Sequence, residues 1–310
     1  MKMEQIIPPV DRELLEAELT AERMIRKTNS GNNQIYIVNH FNAPNVTREI
    51  GRLREITFRD AGGGTGLACD LDYYDTCENP FEQLIVWNPV DKEIVGGYRY
   101  LHCKFLTKGD DGEYHTPTFK LFHYSKEFVE NYLPHTIELG RSFVQPAYQP
   151  TNNIRKGMYS LDNIWDGLGA LVLIYPDAKY FFGKITMYPD FNRKGRDLIL
   201  WFMNKYFGDR DRLVYPVHPL KIETDVNELE QAFPFGVYDK DYKMLIQQVR
   251  GLGENIPPLV NAYMNLSSTM KYFGTAINDE FGEVEESGII VTINDIYEIK
   301  IERHLTITEK

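Results

Sequence analysis

Cysteine is scarce in this sequence. Three residues, Cys69, Cys77 and Cys103, are spread over 310 positions with neither an even count nor a CxxC spacing, so neither a disulfide framework nor a zinc site is expected. They read as reduced, partly buried thiols. Long apolar runs are lacking as well. No uninterrupted stretch approaches the roughly 20 residues that cross a bilayer, and the N-terminus, MKMEQIIPPVDRELLEAELTAERM, is acidic and amphipathic where a secretory leader is basic and then apolar. A soluble, unprocessed cytoplasmic chain is the expectation. Positive charge is also in deficit, with 34 Lys and Arg against 45 Asp and Glu, which argues against nucleic acid or anionic lipid as a general partner. A local basic cluster remains at Arg193, Lys194 and Arg196 in DFNRKGRD, just ahead of an apolar helical run. It reads either as a solvated helix entrance or as a docking patch. Repeats and low-complexity linkers are absent, so a single enlarged domain is expected over residues 1–310.

What the sequence does contain is a regular succession of elements. Leu14, Leu15, Leu19, Met24 and Ile25 fall close to one helical face, which predicts an appended amphipathic helix over 11–27 with Asp11 as its N-cap. The β-branched and aromatic run 35–41 predicts a strand, 46–62 a helix stopped by glycine, and 81–88 with 93–105 a hairpin across the turn PVDK. A helix over 118–133, a strand over 136–144, a helix over 161–176, a strand over 179–188 and a helix over 196–208 follow. This order is that of an α/β chain built on one central mixed sheet flanked by helices. The last third is less regular, with a helix near 239–250, the segment IPPLVNAYMNL at 256–266 and a final strand pair expected within 288–305.

Three groups of residues invite a chemical reading. Gly62, Gly63, Gly64 and Gly66 can cradle an anion through backbone N–H groups, yet they lack the GK[ST] ending of a P-loop and follow a helix, so a helix-ending loop is the better expectation. Asp70, Asp72 and Asp75, with Tyr73 and Tyr74 between, can bind a cationic group or serve as capping and turn residues, and they do not form an EF-hand. Glu138 and Arg141 sit inside the apolar strand TIELGRSFV, three apart and so on opposite faces of a regular strand, although Gly140 can mark a bulge that changes this. Charge in such a place is a structural salt bridge or a site.

Five pieces, taken together, point to a family: Arg54 with Phe58, Asp72-Tyr-Tyr-Asp75, Val95-Gly-Gly-Tyr-Arg99, Glu138-Leu-Gly-Arg141-Ser-Phe-Val, and Trp165-x-Gly167-Leu168. Their order and spacing resemble the ornithine-lipid N-acyltransferases and their glycine-lipid relatives, a family also labelled haemolysin-like. More distantly they are similar to the acyl-homoserine-lactone synthases. The resemblance spans about residues 45–208, and IPPLVNAYMN resembles the proline-rich stretch near the end of the same acyltransferases. It implies the GNAT acyltransferase fold: a twisted mixed sheet flanked by helices, with a core at about 35–220, an N-terminal helical extension over 1–30 and a C-terminal extension over 221–310. It also implies that strands 136–144 and 179–187 splay apart around a pantetheine arm. Members that use coenzyme A place a glycine-rich pyrophosphate loop after the first of these strands, where this chain has VQPAYQPTNNIRKG with a single late Gly157. An acyl carrier protein is therefore the expected donor, with coenzyme A as the alternative. The phosphopantetheine thioester is a co-substrate, and neither a resident cofactor nor a metal is expected.

The roles implied by the resemblance are those of thioester aminolysis, which needs a neutral amine, alignment and a stabilised oxyanion. Glu138 would be the base, with Arg141 beside it. Backbone N–H groups near Phe143 and Val144 would polarise the thioester carbonyl. Arg99 and Arg141 would hold the acceptor carboxylate or anchor the acidic cluster, and Arg54, Phe58, Asp72 and Asp75 would shape the acceptor side, as ligands or as an internal salt-bridge network. The expected acceptor is a small amino acid of glycine or ornithine type, and the expected product an aminolipid precursor, with peripheral membrane contact. Arg193, Lys194 and Arg196 would guide an acidic carrier protein. The rivals are an acyl-homoserine-lactone-like signal synthase, disfavoured by the extra C-terminal third, and a non-catalytic acyl-binding or haemolysin-like module, for which no Lys- and Arg-rich apolar helix offers a mechanism.

Overall fold

The computed structural model describes residues 3–304. Along the chain run α1 (Arg12–Glu18), β1 (Met24–Lys27), β2 (Gln34–Val38), α2 (Pro44–Asp60), α3 (Tyr73–Thr76), β3 (Glu82–Asn88), β4 (Glu93–His102), β5 (Phe122–Tyr124), β6 (Thr136–Val144), α4 (Ile154–Gly157) and α5 (Ser160–Ile174). They continue with β7 (Tyr180–Met187), α6 (Arg193–Phe207), β8 (Val214–Pro216), α7 (Val226–Ala232), α8 (Tyr238–Gly251), α9 (Pro258–Met264), β9 (Lys271–Asn278), β10 (Val284–Thr292) and α10 (Glu298–His304). These elements group into two compact units, one of residues 3–106, 135–179 and 297–304, the other of 107–134 and 180–296.

In the first unit, β1, β2, β3, β4 and β6 form an antiparallel sheet in that order. β3 and β4 are buried almost throughout because helices cover both faces. The pair Leu84 and Tyr98 meets α5 at Gly167, where a Cβ would stand 2.5 Å from a Leu84 methyl. The next pair, Gln83 and Arg99, points the other way, toward Arg54 of α2, as the two-residue period of a strand requires. Helix α2 starts with Pro44 in its first turn and buries Val46, Ile50, Leu53 and Phe58 on one side. Gly96 and Gly97 let β4 lie close between its neighbours, since a Cβ on either would run into the carbonyl oxygen of Phe143 or Leu84.

The second unit holds the antiparallel sheet β7, β10, β9 and the small pair β5 and β8. Helix α6 buries Leu198, Ile199, Phe202 and Met203 and packs with α8 and β9. Among the described residues, no helix is long and apolar enough to cross a membrane.

Three expectations fail. The helix expected over 11–27 ends at Glu18, and Met24–Lys27 is a strand on β2. Its five apolar residues do not share a buried face, for Leu15 and Leu19 are buried while Leu14 and Ile25 are exposed. A seven-residue helix gains little by extension when an open strand edge offers ladder hydrogen bonds. Within 118–133 the chain forms β5 and then one π-helical turn, Phe128–Tyr132, because Tyr124 and Phe128 pack on Phe182. The final strand pair within 288–305 is one strand, β10, followed by the helix α10, which docks on α5 through His304 Nδ1 and Asp166 Oδ1, 2.9 Å apart.

Candidate active site

Asp72-Tyr-Tyr-Asp75 folds as a capping box. Asp72 caps α3 by accepting from the Tyr74 N–H, and the Asp75 carboxylate returns to accept from the Asp72 N–H at 3.1 Å. That turn brings two carboxylates onto the guanidinium of Arg99, which donates to both oxygens of Asp72 at 2.7 and 2.8 Å and to Asp75 at 2.9 Å. Arg54 reaches the other oxygen of Asp75 at 3.1 Å and also donates to Gln83, whose amide in turn donates to Asp75 at 2.9 Å. Arg99 lies over the rings of Phe81 and Tyr74. Arg54, Asp75, Gln83 and Arg99 are fully buried, and only Asp72 is a third exposed. Burial works to raise the Asp75 pKa, but Arg54, Arg99 and the Asp72 amide outweigh it and hold that carboxyl well below the usual range. Phe58 is buried on α2 one turn beyond Arg54.

Strand β6 supplies the other half. Gly97 pairs with Phe143 but Arg99 pairs with Gly140, so two steps on β4 face three on β6. The extra residue is a bulge at Arg141, whose φ is 52°. Glu138 is 2% exposed. Arg141 turns inward to Asp70, its Nε 3.0 and 3.2 Å from the two carboxylate oxygens. Burial pushes the Asp70 pKa up, against the pull of Arg141, Arg54 and Arg99. Beyond the bulge, the Gln145 N–H donates to the Val95 carbonyl at 3.1 Å. Antiparallel alternation then aims the Phe143 N–H toward β4 and the Val144 N–H away from it.

The structure thus gathers Arg54, Asp72, Asp75, Arg99, Glu138 and Arg141 in one unit, around a core of three guanidinium groups and four carboxylates that includes Asp70. Asp72 and Asp75 leave Arg99 little freedom to grip a substrate. Glu55 settles the glycine run: fully buried, it accepts from the Thr65 N–H at 3.1 Å and the Gly66 N–H at 2.8 Å, so the protein's own carboxylate fills the place an anion would take. The basic cluster is divided. Arg196 is buried against Asp197, Glu285 and Glu223, whereas Arg193 and Lys194 are half-exposed and paired with Glu285 and Glu228. Gly157 serves packing, since a Cβ there would run into the backbone of Pro150. Among the described residues, no group of three His, Cys, Asp or Glu stands in position to hold a metal ion. Gln83 and Glu55 were not singled out from sequence, whereas Asp70, the partner of Arg141, belongs to the acidic cluster that was. A glutamine inside the apolar run EQLIVWN, on the strand that pairs with the one carrying Arg99, was the signal available for the first.

The pattern of the Acetyltransferase (GNAT) domain matches residues 53–156, which hold the C-terminal part of α2, α3, β3, β4, β5 and β6. Over the whole chain, a protein of Bacteroides thetaiotaomicron named Glycine N(alpha)-acyltransferase is 57% identical over 303 residues, covering 98% of this chain and 90% of its own length. A protein of Phocaeicola vulgatus with the same name is 54% identical, covering 98% of this chain and 93% of its own length.

Proposed function

This chain belongs to the family of GNAT acyltransferases that those two relatives represent, and we propose that it moves a fatty acyl group from the pantetheine thioester of an acyl carrier protein to the amine of glycine. The observation that carries the chemistry is Glu138, a carboxylate buried in a bulged strand beside a compact network of arginines and aspartates. The acceptor follows from the name of the two relatives. An amino acid amine with a pKa of about 8 or higher is protonated at neutral pH. Glu138 takes that proton, directly or through water, and the freed amine attacks the thioester carbonyl carbon. The Val144 N–H steadies the oxyanion. As the tetrahedral intermediate collapses, the C–S bond breaks, the attacking nitrogen gives up its second proton, and the departing pantetheine thiolate takes that proton up, leaving the amide. The Arg54, Asp72, Asp75 and Arg99 network shapes the acceptor side, and the exposed edge of Asp72 meets the incoming amino acid, Arg141 being held inward on Asp70.

The carrier protein is favoured as donor because the segment after β6 is a proline-bounded turn and a short helix, with its lone glycine used for packing. A coenzyme A diphosphate would find no glycine-rich loop there. The product, an N-acylglycine, is a lysolipid suited to membrane aminolipid synthesis in the cytoplasm. The test is to supply the purified protein with matched carrier and coenzyme A thioesters, with glycine or ornithine as acceptor, and to follow thiol release and product mass. N-acylglycine forms, with much the higher kcat/KM for the carrier thioester. Equal rates with both donors would remove the donor assignment, and thiol release without acylated glycine would remove the acceptor.

A further inference from the structure

We propose that Asp70 is a positioning residue for the acyl transfer, acting through Arg141 to hold the bulge of β6 in its working shape. The inference rests on β6 as the strand that carries the base and the carbonyl-binding amide. Arg141 has a φ of 52°, a left-handed conformation in which a bulky side chain crowds its own backbone. Such a residue persists only where its surroundings over-determine it. Asp70 is that constraint. Its carboxylate is 1% exposed, accepts the Arg141 Nε–H on Oδ1 at 3.2 Å and has Oδ2 within 3.0 Å of the same nitrogen as an ion pair, which fixes the direction of the side chain and, with it, the backbone from which it leaves.

Asp70 is itself rigidly mounted. Its N–H donates to the Gly51 carbonyl at 3.0 Å. The segment around it lies so close to α2 that a Cβ on Gly51 would stand 2.6 Å from the Cys69 Sγ and 2.7 Å from the Leu71 Cγ. Farther back, Glu55 ties the amides of Thr65 and Gly66 to the same helix. Stiffness therefore runs from α2 through the 65–71 segment to Asp70, and from Asp70 through Arg141 to the bulge. On one side of that bulge, three residues back, stands Glu138. On the other, three residues on, is Val144. A change of the bulge moves the base relative to the amide, and misplacements of about 1 Å cost transfer reactions up to about 100-fold.

The experiment is a double-mutant cycle on Asp70→Asn and Arg141→Gln, joined to hydrogen exchange of the protein alone. Asp70→Asn is expected to lower kcat by about 10- to 100-fold while the KM for glycine stays within about twofold. The double variant should be no slower than Arg141→Gln, because Asp70 acts only through that side chain. Amides of residues 140–144 should exchange faster in Asp70→Asn, with α5 and β3 unchanged. Wild-type kcat in Asp70→Asn, losses that multiply across the cycle, or unaltered exchange at 140–144 would each overturn the proposal. Should Asp70→Asn not fold, Arg141→Lys keeps the cation, loses the Nε, and carries the same exchange test. Exchange needs no substrate, so it decides the positioning role even if glycine proves the wrong acceptor.

Discussion

Glu138 is asked to be both buried and basic, and those demands can be separated by substitution. Glu138→Gln keeps the size and hydrogen-bonding capacity of the side chain but removes the proton acceptor, so kcat should fall by roughly 100-fold or more with the fold intact. Activity should return in part at high pH, where the amine is already neutral. If Glu138 were only one half of a buried ion pair, the variant would instead lose about 3 to 5 kcal/mol of stability along with its yield. Thermal unfolding and turnover on one preparation tell these apart, and wild-type turnover would exclude the base. That this residue was legible in the sequence has a physical reason: a carboxylate and a guanidinium inside an otherwise apolar strand must be paired or used. What the sequence could not show is that the bulge falls on Arg141 and aims it at Asp70, since Gly140 was the residue expected to carry the irregularity. Register is a property of two strands, and only the pairing of β6 with β4 reveals it.

Helix α2 is fastened to β3, β4 and α3 by charge as well as by apolar contact. Arg54 leaves its buried face to meet Gln83 and Asp75, and Asp75 in turn holds Arg99. Arg54→Met would keep the apolar stem and strand the buried Asp75 carboxylate and the Gln83 amide oxygen, so a loss of about 3 to 5 kcal/mol is expected at neutral pH. The pH dependence has a definite sign. Asp75 has a folded pKa below its unfolded value of about 3.9, so its stabilisation is complete above that pH and fades as pH falls toward the folded value. Asp70, with its pKa raised by burial, works the other way and resists ionisation. The gap between wild type and Arg54→Met in chemical unfolding should therefore narrow below about pH 4, and a gap independent of pH would show that Asp75 is not the partner that matters. Elements of strong period were readable in advance, including α2, β3, β4, β6, α5, β7 and α6, because each buries a continuous face. The failures at 11–27, 118–133 and 288–305 lie where a tertiary partner decides between helix and strand: β2 for the first, Phe182 for the second, α5 for the third.

On the proposed reading, a chain with a formal charge of −11 receives an acidic carrier protein, and long-range repulsion between the two slows their encounter unless a local patch of opposite sign guides it. Of the three cations expected to do so, Arg196 is spent inside the fold on Asp197 and Glu285, which leaves Arg193 and Lys194 at the protein surface. Reversing Arg193 outright would set a carboxylate beside the buried Glu285, so Arg193→Gln is the cleaner change; Glu285 keeps Arg196 at 2.7 Å. Among the described residues Lys194 is paired only with the exposed Glu228, and it tolerates Lys194→Glu. The double variant Arg193→Gln, Lys194→Glu should raise the KM for the carrier thioester several-fold, on the order expected for lost rim charges, and flatten its dependence on salt. The matched coenzyme A thioester, a donor with no carrier surface, serves as the control. Its KM should not move. A parallel rise with both donors would trace the effect to the acyl transfer site, and an unchanged KM with the carrier would reduce Arg193 and Lys194 to the solvated entrance of α6.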